Sequence, residues 1–182
     1  MDTQAFNLLF DEEMVDRLAP IGFRRRGAAG KTLDLVDGIN VVSFLRLGGR
    51  FGQGYSAAWT LCFRHSFLRT VGALKVPNGV RGTCTEDYPY QFTPLKLIDG
   101  SRQLRYDSVR NWDIERYEYA NLTEAEVRTH LRMIAGYISD RFTPWARGVT
   151  PEIARAQIFP FRIRREDVRI WVEDYDNYFS SR

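Results

Sequence analysis

Apolar residues recur at helical spacing at the start of the chain, and acidic residues fill many of the positions between them. The pattern predicts an amphipathic helix with Asp2 or Thr3 as its N-cap. Its apolar stripe comprises Phe6, Leu9, Phe10, Met14 and Leu18. Pro20 and Gly22 are typical helix-ending residues, so we expect the helix to stop there.

A pattern with a period of two follows. Residues 31–36 and 39–47 are predicted as strands joined by Asp37-Gly38, because this dipeptide favours a two-residue hairpin turn with positive φ at both positions. Residues 55–65 alternate between large apolar side chains and small or polar ones. This alternation predicts a third strand with one face in the core.

A weaker pattern predicts a second hairpin, with strands at residues 95–98 and 103–106 around Asp99-Gly100. Residues 67–90 contain turn signals but no clear period, and no element is predicted there.

Helical spacing returns in the last third of the chain. Thr123 and Glu126 form a capping-box pattern before an apolar stripe that runs to Phe142, and Pro144 is expected to end that helix. A last helix is predicted over about residues 165–179, with Val168, Trp171, Tyr175 and Tyr178 on one stripe.

These elements predict an α+β fold. The chain has 182 residues, which suits a single domain over residues 1–182. We expect a mainly antiparallel sheet of four to six strands with helices packed on one face, because alternating strands bury only one side.

Composition narrows the class of protein. Hydrophobic residues make up 44% of the chain and charged residues 27%, which excludes disordered and fibrous classes. We find neither a signal-peptide pattern nor a long apolar run, so no membrane association is expected. Two cysteines, Cys62 and Cys84, are too few for a disulfide framework, and we expect a cytoplasmic protein with free thiols.

The basic residues are three lysines and 23 arginines, and the net charge is only +3. A balance so close to neutral demands neither a nucleic acid nor a membrane as partner.

Leu18, Pro20, Gly22 and Phe23, followed by Arg25, Arg26 and Gly27, resemble the bacterial family called domain of unknown function 4304. The resemblance covers residues 3–142 and implies an α+β fold. It implies no catalytic residue, since the family has no established activity. Some small bacterial domains of this kind resemble immunity proteins that are encoded beside toxins.

Residues with reactive side chains are few. Cys62 and His65 are three apart on a predicted strand, so they point to opposite faces and do not converge on a metal ion. His130 is expected at the boundary of a helix stripe. The glycine-rich residues 48–54 join two strands, whereas a phosphate loop leads into a helix. We predict no catalytic residue, metal or cofactor; any active site would combine Arg, Tyr and Glu side chains with perturbed pKa values.

The favoured hypothesis is a protein-binding module, such as an immunity-like protein for a basic, toxin-like partner. Aromatic and arginine side chains are typical interface anchors, and the candidates are Arg50, Phe51, Trp171, Tyr175 and Tyr178. Acidic residues near the C-terminus would suit a basic partner. Two alternatives stay open, and one of them is an enzyme without a recognisable motif. The other is nucleic-acid binding through basic clusters with aromatic residues beside them, on which bases could stack. The clusters are Arg24, Arg25 and Arg26, beside Phe23, and Arg162, Arg164 and Arg165, beside Phe159 and Phe161.

Overall fold

An antiparallel sheet forms the centre of the structure, which is a computed structural model. The structure describes residues 1–26, 32–51, 54–71, 87–106 and 115–182, but not the side chains of residues 47–51 and 54–55. Within these ranges the sheet has six strands and its helices pack on one face. The predicted α+β class is therefore confirmed.

The sheet is built around one long hairpin. Its strands are β1 (Arg24–Arg26), β2 (Thr32–Asp37), β3 (Asn40–Phe51), β4 (Gly54–His65), β5 (Tyr90–Phe92) and β6 (Glu115–Tyr117). Strands β1 to β4 follow one another in order, and β5 and β6 both pair with the free edge of β4. The three strands predicted around residues 31–36, 39–47 and 55–65 are confirmed as β2, β3 and β4.

The helices come from both ends of the chain. They are α1 (Thr3–Phe10), α2 (Asp16–Leu18), α3 (Pro94–Ile98), α4 (Glu124–Tyr137), α5 (Thr143–Gly148), α6 (Pro151–Ile158) and α7 (Glu166–Ser180). One π-helical turn joins α1 to α2 and another joins α4 to α5. None of the helices in the described ranges is long and apolar enough to cross a membrane.

The core lies between the helices and the inner face of the sheet. Phe10 of α1 contacts Phe44 of β3, whose ring contacts Trp59 of β4 at 5.9 Å between centroids. Arg46 is buried among these rings, and its guanidinium lies 4.8 and 4.6 Å from the ring centroids of Phe6 and Phe10. Cation–π attraction and a hydrogen bond to Asn7 therefore hold this cation beneath α1.

The Leu18-to-Phe23 element turns the N-terminal helical segment into the sheet. Pro20 lies in the first turn of a 3-10 helix, Ala19–Ile21, and Gly22 ends it with φ +104°. Glycine is required here by the positive φ, which a side chain at this position would strain. A Cβ would also lie 2.9 Å from Leu35 Cδ1, the end of a flexible side chain that would have to shift. Phe23 then enters the core.

The first hairpin forms one residue later than predicted. Asp37 pairs with Asn40, so Gly38 and Ile39 are the turn residues, and only Gly38 has a positive φ. The prediction of positive φ at both Asp37 and Gly38 is wrong, because a turn with glycine first needs positive φ only there.

The second predicted hairpin is wrong. Residues 95–98 belong to α3, which begins with Pro94 in its first turn and is followed by Gly100 at φ +76°. Residues 103–106 form no strand. The apolar run was too short to distinguish a strand from a helix, and Pro94 and Gly100 are typical helix-boundary residues.

Pro144 does not end the helical segment that starts at Thr123. A π-helical turn, Ile138–Phe142, precedes it, and a new α-helix, α5, begins at Thr143. Pro144 therefore lies in the first turn of α5, where its missing N–H costs little. Helix α6 was not predicted, although Thr150 accepts a hydrogen bond from the Ile153 N–H and Pro151 follows it. The capping box at Thr123 and the last helix are confirmed.

A buried carboxylate joins the N-terminal helix to α4. Glu13 is 2% exposed, lies in the π-helical turn Asp11–Val15 and accepts hydrogen bonds from Arg132, Arg128 and Arg17 at 2.6 to 2.9 Å. Chiefly the hydrogen bonds from Arg132 lower the pKa of Glu13 to about 2. The ionised form is therefore favoured in the folded protein.

We expect Glu13→Gln to lower the free energy of unfolding at pH 7 by about 2 kcal/mol, because three guanidinium groups lose a charged acceptor. Since the folded pKa is depressed, this stabilisation is complete above the unfolded pKa of about 4.5 and is lost as the pH falls toward 2. Urea unfolding of both proteins between pH 2.5 and 7 should show the difference narrowing in acid.

Glu12→Gln is the matched control. Glu12 is the preceding residue, is largely exposed and pairs only with Arg128, so its loss should cost less than about 0.5 kcal/mol. Equal losses for the two variants would contradict the assigned role of Glu13.

Candidate functional site

Two of the predicted interface anchors are buried. Trp171 and Tyr175 are each 1% exposed and pack α7 against the rest of the domain. Trp171 donates its indole N–H to the Arg69 carbonyl at 3.3 Å. Tyr178 is half-buried, and its ring stacks on Phe67 at 4.1 Å. The stripe predicted as an interface therefore docks the last helix, because its helical spacing places it toward the core.

Arg50 and Phe51 end β3, where Phe51 pairs with Gly54 across the hairpin. Their side chains lie outside the described part of the structure, so a contact role for this hairpin end stays a prediction.

Strand geometry divides the basic cluster. Arg24 and Arg26 point to one face of β1 and Arg25 to the other. Arg25 pairs with Asp11, whereas Arg24 donates to the carbonyls of Ala19 and Phe23. The three arginines thus make separate contacts within the chain.

Arg26 belongs to a polar group on the outer face of the sheet. It pairs with Asp34 and donates to the Tyr88 hydroxyl at 3.0 Å, and that hydroxyl lies 2.8 Å from Ser43 Oγ. Burial raises the pKa of Asp34 and raises the pKa of Tyr88 to about 12. An active site without a recognisable motif is expected to combine Arg, Tyr and carboxylate groups with perturbed pKa values. Such groups converge here, but they bind one another.

Cys62 and His65 lie on opposite faces of β4, as their spacing predicts. Cys62 is fully buried beside Leu45 and Tyr88 on the outer face, and burial raises the pKa of its thiol. A raised thiol pKa leaves little thiolate, which is the reactive form. Among the described residues, no group of three or more His, Cys, Asp or Glu side chains could hold a metal ion.

His65 holds two parts of the C-terminal half together. Its Nε2 lies 3.0 Å from the Val149 carbonyl, which can only accept, so Nε2 carries the proton and Nδ1 accepts from the Tyr175 hydroxyl at 2.8 Å. Burial lowers the pKa of His65 to about 4. The neutral imidazole therefore has a structural role, and both of its nitrogens are hydrogen-bonded.

His130, on α4, has a comparable role nearer the surface. Its Nδ1 lies 2.8 Å from the Tyr117 hydroxyl and so connects α4 to β6. Both histidines of the chain therefore bind tyrosine hydroxyl groups in this structure.

The acidic residues of α7 all have arginine partners. Asp174 and Glu173 bind Arg69, Asp176 binds Arg155, Asp167 binds Arg165, and Glu166 lies 3.6 Å from Arg169. The acidity that suggested a basic partner is thus neutralised within the chain.

The most exposed of the large apolar side chains described lies in a tight turn between α6 and α7. Residues 159–165, Phe-Pro-Phe-Arg-Ile-Arg-Arg, are called the 159–165 turn here. Ile163 is 83% exposed at its centre, between Arg162 and Arg164. The sequence does not single out Ile163, because an isolated apolar residue between arginines has no periodic signal.

Aromatic contacts hold this turn in place. The guanidinium of Arg162 lies 3.5 Å from the centroid of the Phe159 ring, and that of Arg155 lies 4.8 Å from it. Phe161 packs against Tyr106 with 5.4 Å between centroids. The turn therefore presents Ile163 from a supported base.

No protein-family model, curated protein or solved structure matches the chain. The resemblance to the domain of unknown function 4304 family therefore stays a prediction.

We expect His65→Phe to lower the free energy of unfolding by about 2 to 3 kcal/mol at pH 7, because the Val149 carbonyl and the Tyr175 hydroxyl lose their partner in the core. The folded pKa is depressed, so the stability contributed by the neutral imidazole is complete above about pH 6.5 and is lost as the pH falls toward 4. The gap between the two proteins should therefore narrow over this range in denaturant titrations.

The same substitution at His130 provides the comparison. Its imidazole is half-exposed, so we expect a smaller loss of stability. A gap between wild type and His65→Phe that is constant from pH 7 to pH 4 would contradict the buried neutral histidine.

Proposed function

We propose that this chain is a non-catalytic protein-binding module, and that it acts as an immunity-like protein for a toxin-like partner. The observation that carries the proposal is the 159–165 turn, where Ile163 is exposed between two arginines. An apolar side chain flanked by arginines suits a partner pocket, since arginine is enriched at interfaces and apolar contact supplies affinity.

The engagement of the reactive groups supports a non-catalytic role. The thiol of Cys62 is buried, and both nitrogens of His65 hold structural partners. A general base must reach the proton it abstracts, and the buried imidazole of His65 is already bound on both sides.

The alternative that the chain is an enzyme would place its active site at the polar group of Arg26, Asp34, Ser43 and Tyr88. Its side chains satisfy one another, as a structural network does.

The nucleic-acid alternative receives little support from the arginines. Arg25 and Arg26 pair with carboxylates, and two guanidinium groups already cover the ring of Phe159, on which a base would otherwise stack. An oligonucleotide that binds with steep salt dependence would favour this alternative over a protein partner.

The proposal that the chain is an immunity-like protein predicts a specific complex. We expect the purified chain to form a complex of fixed stoichiometry with the product of one gene adjacent to its own, measured by calorimetry and size-exclusion chromatography. A folded chain that binds neither adjacent gene product would remove the immunity role.

Matched variants locate the binding surface. Ile163→Asp should weaken that complex by about tenfold or more, because an apolar anchor becomes a desolvated charge. Ile153→Asp, at another exposed isoleucine, is the control. Phe51→Asp tests the hairpin end separately, and a loss confined to that variant would move the interface there.

A further inference from the structure

The charges around the 159–165 turn are unbalanced. The carboxylates of the adjoining helix α7 are all bound by arginines. In the described ranges no carboxylate contacts the side chain of Arg164, which is exposed, and Arg162 binds only the ring and the carbonyl of Phe159. The surface beside Ile163 therefore carries positive charge without a counter-ion from the described residues.

A second segment adds to this charge. Tyr106 contacts Phe161, so Tyr106 lies against the base of the turn. Arg105 directly precedes Tyr106, is exposed, and contacts no carboxylate in the described part of the chain.

The turn is also preorganised. Arg165 binds Asp167, whose Oδ1 accepts the Val168 N–H in the first turn of α7, and the Arg164 N–H donates to the Phe161 carbonyl at 3.1 Å. A partner that binds such a turn loses less free energy to ordering, so a small contact area can be sufficient.

We propose that the 159–165 turn binds an acidic protein segment that places an apolar side chain against Ile163 and carboxylates against Arg162 and Arg164. This inference rests on the proposed function and names the chemistry of the partner, which is acidic where the sequence suggested a basic one. Complementary charge raises the rate of encounter and selects the partner, and the apolar contact supplies affinity.

A protein segment fits the turn better than the other anionic surfaces. A membrane-binding element buries a broad apolar face, whereas this turn offers one strongly exposed apolar side chain, Ile163. Single-stranded nucleic acid needs free aromatic faces, and that of Phe159 is covered by Arg162 at 3.5 Å.

The test uses the full chain labelled at its isoleucine δ1 methyl groups. The probe is a synthetic eight-residue peptide with six acidic residues around a central Leu-Phe pair, and the reference peptide has lysine at each acidic position. We expect the acidic peptide to shift the Ile163 methyl resonance and to leave that of the control Ile153, which is also exposed, in place. The lysine peptide should shift neither.

Charge reversal tests the arginine. Arg164→Glu should lower the affinity for the acidic peptide by about tenfold, since one close charge pair of about 1.4 kcal/mol becomes a repulsion. Arg24→Glu changes the net charge equally at an exposed arginine whose partners among the described residues are the carbonyl groups of Ala19 and Phe23, and it should leave the affinity unchanged.

Each contrary result overturns the inference. These results are an unshifted Ile163 methyl, equal shifts with both peptides, or a response only to phosphatidylglycerol vesicles or to oligodeoxythymidylate. An adjacent gene product that binds Arg164→Glu as tightly as wild type would overturn the inference and leave the proposed function in place. Acidic-peptide binding at Ile163 without any such complex would keep the inference and remove the immunity role.

Discussion

The pairing of β3 with β4 is the constraint on which the rest of the structure depends. The two strands pair along all twelve residues of each, from Asn40 opposite His65 to Phe51 opposite Gly54. The inner face of this hairpin carries the buried side chains of Val42, Phe44, Ala57, Trp59, Leu61 and Phe63. The N-terminal and C-terminal helices attach to that face because its apolar surface must be removed from water. Strand β2 pairs with β3, β1 pairs with β2, and β5 and β6 pair with the free edge of β4.

Buried polar groups decide how the helices are placed on that face. Apolar contact alone tolerates sliding, whereas Glu13, His65 and Arg46 each need specific partners from another element. Glu13 joins the first helical segment to α4, and His65 joins the end of β4 to α7 and to Val149. An unmade bond at such a buried group is costly, so these residues favour one arrangement over its neighbours.

Interactions of arginine side chains within the chain also determine the charge of the surface. Arginine is the dominant cation of the chain, and its planar group binds carboxylates in pairs, carbonyl oxygens and aromatic rings. Most arginines described here are engaged in this way inside the domain. The 159–165 turn differs because Arg162 and Arg164 flank an exposed isoleucine and neither contacts a carboxylate of the described residues.

Local patterns were sufficient for the elements whose causes are local. The helical stripe from Phe6 to Leu18, the alternation in β4 and the capping box at Thr123 each depend on neighbours a few residues apart, and all three are confirmed. The prediction failed at residues 95–98 and at Pro144, where a short apolar run or a proline is compatible with two backbones. There, contacts with distant parts of the chain decide.

The candidate site was determined almost entirely by tertiary structure. The sequence by itself determined the fold class, the opposite faces of Cys62 and His65, and an excess of arginine over lysine. It did not determine that Trp171 and Tyr175 turn inward, or that the acids of α7 meet arginines from other segments. Burial and ion pairing depend on residues as much as 119 positions apart, and spacing along the chain carries no record of which distant groups will meet.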